Sequence, residues 1–233
     1  MTTFKFFAAA LILAIIAAIL RKRLHRKALF AILREFNQAN DTSVLIRWVL
    51  EKQSIQRLSA ILEYFKDIEE EALAAEMLEH LDLDYLHHRH VLIFAAQAFA
   101  TVGNPKALEL AEKLYKEYPK DDSVLDTYIQ AHLDLGSYAK AKEVLLPRLQ
   151  RKYKGTIFMR HYARILAHEG DLERAIEIME KVVKRDFILF QNTFAVPQKH
   201  LIRKQFEESR TILNSFREKK EGPEPETTAQ APD

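Results

Sequence analysis

Apolar residues recur every three to four positions along most of this chain, which is the spacing of one face of a helix. The stretches "VLIRWVLEKQ" (44–53), "SIQRLSAILEYF" (54–65) and "DIEEEALAAEMLEHL" (67–81) follow that spacing and predict amphipathic helices. So do paired segments through 88–189. Pro197 can open a last helix to about Lys219, with Leu201, Phe206, Ile212, Leu213 and Phe216 as its apolar stripe. Only the head breaks the pattern. From Phe4 to Leu20, "FKFFAAALILAIIAAIL" is apolar on every side except for Lys5.

The pattern also repeats on a longer scale. "GSYAKAKEVL" begins at Gly136 and "GDLERAIEIM" at Gly170, thirty-four residues later, and each places an alanine five residues on, at Ala141 and Ala175. One more step back reaches Ala107, behind the shorter turn "GNPKA". Large apolar residues follow, with Leu145 and Leu149 in one copy and Met179, Val182 and Val183 in the next, where the first copy holds Ala111 and Leu114. The preceding helices match as well. Leu92, Ala95, Ala96 and Phe99 correspond to Leu125, Tyr128, Ile129 and His132, and to Met159, Tyr162, Ala163 and Leu166. A helix of about 13 residues is marginal alone. Pairing it antiparallel and stacking each pair on the next buries its apolar stripe, while small residues let the backbones approach.

This arrangement resembles the tetratricopeptide repeat family over residues 88 to 189. It departs from that pattern at Ile129, where a small residue is usual, at His132, where an aromatic is usual, and in the shortened first turn. The resemblance implies an α-solenoid of antiparallel helix pairs (88–121, 122–155 and 156–189). With the apolar head expected as an N-terminal transmembrane helix and 190–219 as a capping helix, the whole is expected to be all-α. Residues 28–87 are expected to form degenerate repeats or an N-terminal cap, and Trp48 to be core. The Pro/Glu-rich tail 220–233 cannot build a core. The first helix of each family repeat lines a groove that holds a peptide or partner helix. The positions carried over are His90, Ile93 and Gln97, then Asp126, Gln130 and Leu133, then Arg160, Arg164 and Ala167. Arg160 and Arg164 share a helical face. They can grip a carboxylate together, or pair with Asp126, Asp134 or solvent.

Charge gives the head a direction. Residues 1–34 hold seven bases and no acid, and the other 28 of the 35 bases face all 33 acids. Seventeen helical residues span roughly 25 Å, slightly short of a bilayer's hydrocarbon core, which thinning and snorkelling of Lys5 accommodate. The basic cluster Arg21, Lys22, Arg23, Arg26 and Lys27 follows the apolar run, so 1–27 is expected to be a signal anchor with everything after it in the cytoplasm. A cleaved signal peptide would carry its charge before the apolar run and a small-residue site after it.

Candidate chemistry is sparse. The absence of cysteine excludes disulfides, thiol catalysis and cysteine-bound metal centres. The five glycines form no phosphate-binding loop. "DLDYLHHRH" (82–90) gathers Asp84, His87, His88 and His90, but adjacent histidines point apart and a solvated turn is expected in place of a metal site. His161 and His168 are expected at the surface or in the groove. Glu69, Glu70 and Glu71 are expected to form a solvated first helical turn. No nucleophile, base and orienting group cluster, so neither an enzyme nor a cofactor is expected. The expected function is a single-pass adaptor at the bacterial inner membrane, binding protein partners in its cytoplasmic groove, with lipid held by the anchor and no nucleic acid or small-molecule substrate. An organelle outer-membrane receptor and a permanent structural subunit of an envelope machine are the alternatives.

Overall fold

The computed structural model describes residues 27–39, 41–51, 54–82, 88–150 and 155–221, apart from the side chains of Val196 and Pro197. Every regular element among them is helical. The expected membrane span and most of its basic flank lie outside the described residues, and so do Asp84 and His87. Among the described residues no helix is long and apolar enough to cross a membrane.

The chain divides into two compact units, Met1–Glu117 and Tyr118–Asp233. The first holds α1 (27–39), α2 (Ser43–Leu50), α3 (Ile55–Asp67), α4 (Glu71–Glu79), α5 (Arg89–Thr101) and α6 (Lys106–Glu117). In this unit α3 packs on α4, α5 packs on α6, and α3 and α4 both touch α5. Helices that pack together across so short a turn must run antiparallel. Leu58, Ile61, Phe65, Met77, Leu78 and Phe99 are fully enclosed. The α1 helix falls in the stretch expected to form degenerate repeats or an N-terminal cap, and it is fastened by Phe36, whose ring meets Phe65 edge-on at 5.7 Å. Trp48 is core as expected, with the Arg57 guanidinium 4.5 Å above its ring. Ahead of α2, the Asp41 carboxylate accepts from the Ser43 hydroxyl and amide, which hold its pKa below the ordinary aspartate value.

The second unit holds α7 (Asp122–Asp134), α8 (Tyr138–Leu149), α9 (Thr156–His168), α10 (Leu172–Asn192) and α11 (Val196–Glu221). Here α7 pairs with α8 and α9 with α10, both α7 and α8 touch α9, and α11 lies along α10. Leu166, Ala175, Met179 and Val182 share a core with Leu213 and Phe216 of α11. Two details differ from expectation. The α10 helix runs to Asn192, past the predicted end of the repeat, and Leu201 of the predicted stripe is 56% exposed.

The repeat shows in the helix ends. In three pairs the first helix closes on a doubled hydrogen bond: Asn104 N–H donates to Phe99 C=O beside Gly103 to Ala100, Ser137 to His132 beside Gly136 to Leu133, and Asp171 to Leu166 beside Gly170 to Ala167. This closure needs a left-handed residue, and Gly136 (φ 79°) and Gly170 (φ 89°) supply it without a Cβ penalty. The same closure appears once more upstream, with Glu70 to Phe65 and Glu69 to Lys66, and Glu69 takes φ 60°. Glu69, Gly103, Gly136 and Gly170 thus mark four turns at intervals of 34, 33 and 34 residues. Ala107, Ala141 and Ala175, the register marks of the sequence, are all fully buried, and Ala74 takes the same place behind Glu69. The α3–α4 pair is therefore a fourth copy. Its sequence is degenerate, with a glutamate at the turn and Leu62 where Ala96 provides a small residue.

Candidate binding surface

In the first unit, His90, Ile93 and Gln97 lie along α5 at helical spacing, and together with Val91 and Phe94 they form one side of an open cleft of about 240 Å³. Ser59, Leu62, Glu63 and Lys66 of α3 form the other. Leu62, Val91 and Ile93 are buried and make an apolar floor, while Glu63, Lys66 and His90 are exposed at the rim. The helices that meet here are the first helices of two successive pairs, so the cleft is a product of the stacking. It can take an apolar side chain in its floor and hold the adjoining backbone or polar groups at its rim. The sequence found the α5 wall. It missed the α3 wall because groove positions were carried over only onto 88–189.

In the second unit the polar carried-over positions are all engaged, mostly with residues outside the expected set. The Arg164 guanidinium donates to Asp134 at 2.7 Å and to the Gln130 side chain at 3.0 Å, joining α9 to α7. His161 Nε2 donates to the Asp126 carboxylate at 2.7 Å across the same seam. Arg160, only 6% exposed, donates to Glu208 of α11 at 2.7 Å. Leu133 is core, and Ala167 is partly buried.

These placements refine the expectations. Arg160 and Arg164 share a face of α9 but do not form an open carboxylate clamp, because each guanidinium is already paired. Asp134 is the expected partner of Arg164. Glu208 was not anticipated as a partner, since nothing in the spacing of the sequence brings α11 beside α9. His161, expected at the surface or in the groove, is buried in the α7–α9 seam against Asp126. His168 is exposed as expected and stacks on Tyr138 with ring centroids 3.7 Å apart. His132 packs against Tyr128, occupying the space of an aromatic ring.

The described geometry defines a class: an all-helical protein, among the described residues, of antiparallel helix pairs stacked within each unit, with a small open cleft between the first helices α3 and α5. No protein-family model matches the chain. No curated protein matches it either.

Proposed function

We propose that this protein is a membrane-anchored adaptor of the tetratricopeptide type, binding rather than catalytic. The Phe4–Leu20 segment tethers it, and the helical body binds a protein partner on the cytoplasmic side. The tether rests on the hydropathy of the head and on the bases that follow it. Tethering raises the effective concentration of the body for partners in the same membrane, without any new contact.

One observation carries the binding role. His90, Ile93 and Gln97 of α5 face Ser59, Leu62 and Lys66 of the preceding first helix across an open cleft, which supports binding there. Its apolar floor and charged rim suit a peptide or helix that buries one apolar side chain. Arg160 and Arg164 contribute instead to holding α7, α9 and α11 together.

Photo-crosslinking in intact cells tests the proposal, with the reactive residue placed at Ser59 or Gln97 in the cleft and at Glu109 on the exposed face of α6. The expected result is a discrete adduct from the two cleft positions and none from Glu109. Adducts from Glu109 alone, or none from the cleft while the chain is in the membrane fraction, would overturn it.

A further inference from the structure

The end of the α10–α11 hairpin carries a surface that the adaptor reading does not use. Phe187, Ile188 and Leu189 are each more than two-fifths exposed, Phe194 in the connecting turn is 90% exposed, and Leu201 near the start of α11 is 56% exposed. The α10 helix has 21 residues where α6 and α8 have 12, so it is about 13 Å longer than either at 1.5 Å per residue. Arg185 reaches Met159 in the first turn of α9, so the last turns of α10 continue past the start of that helix. Beyond that point α10 and α11 cover each other, with Phe206 between Phe187 and Phe190.

Charge accompanies the apolar residues. Lys184, Arg185, Lys199, Arg203 and Lys204 surround the tip, and Asp186 is the one acid between positions 184 and 204. That acid is turned inward: it is 1% exposed and accepts from the Ser209 hydroxyl at 2.8 Å. Among the bases, Arg203 pairs with Glu207 and Lys199 lies over the Phe190 ring.

We propose that this tip inserts into the interfacial layer of an anionic lipid bilayer. Two observations favour lipid over a protein groove. Phe187, Ile188 and Leu189 are consecutive on a helix, so they point about 100° apart and together span about 200°, more than a flat protein face covers. A fluid layer surrounds a protruding tip and meets each of them, as it does with other interfacial apolar segments. The bases stand where anionic head groups would lie. The inference does not depend on the adaptor reading or on its cleft.

Because the chain has no cysteine, a single introduced thiol reports one site. The full-length chain is reconstituted into vesicles of equal parts phosphatidylglycerol and phosphatidylcholine with brominated acyl chains. An environment-sensitive fluorophore is attached through Phe194→Cys, or through Glu143→Cys on the exposed face of α8 as a control. The fluorophore at 194 is expected to be quenched by the bromines and shifted to the blue, and the one at 143 to remain in water. Adding Lys184→Gln and Lys199→Gln should lower the inserted fraction at 194, by roughly fivefold in the in-to-out ratio per charge removed. An unquenched fluorophore at 194, equal quenching in phosphatidylcholine alone, or no response to loss of the two lysines would overturn the proposal.

Discussion

Glu69 occupies the place that glycine occupies in the other three pairs. At φ 60° its Cβ crowds the backbone in a way that costs roughly 1–2 kcal/mol for a non-glycine residue. Glu69→Gly is therefore expected to raise stability toward urea by about 1 kcal/mol, while Gly136→Ala loses a similar amount. If neither moves the unfolding midpoint, the left-handed closure is not what fixes the period. A second residue-scale test concerns the buried carboxylate of Asp186. Ser209 is wholly enclosed and donates to it, so Ser209→Ala removes that donor and should cost about 1–3 kcal/mol in the same measurement. These residues divide by legibility. The register alanines could be read from spacing alone, because a small residue at a helix crossing recurs at fixed phase. Asp186 could not, since its partner lies 23 positions away on another helix.

At the level of helices, the cleft between α3 and α5 is the feature most open to engineering. Ser59→Trp should fill it and abolish recovery of the partner, with helical content and thermal midpoint retained because Ser59 is only partly buried. Retained recovery would move binding elsewhere. In the second unit the α7–α9 seam relies on Arg164 with Asp134, both partly exposed. A double-mutant cycle with alanine at each is expected to return a coupling of about 0.5–1 kcal/mol, typical of partly solvated pairs. The α5 half of the cleft was legible because its residues follow a repeat visible in the sequence. The α3 half was not, and neither was Arg160–Glu208. Each depends on which helices the fold brings side by side.

The whole chain combines an apolar head with a helical body in two units. Deleting residues 1–26 is expected to release the body from the membrane fraction into the soluble fraction, detected by fractionating cells that carry the tagged chain. A body that stays fully bound would show that other surfaces suffice, and the α10–α11 tip would then be the first to examine. Helical content, the 34-residue period and the buried register were fixed locally by the sequence. Apolar spacing selects helices, and a helix that cannot cover its own stripe must find a partner. Tertiary structure decided the rest: the fourth pair behind a glutamate turn, the wall that completes the cleft, the pairing of Arg160 with Glu208, and the apolar tip left uncovered. Those outcomes depend on which distant residues become neighbours. Local spacing carries no record of that, because side-chain partners are chosen only once whole helices have docked.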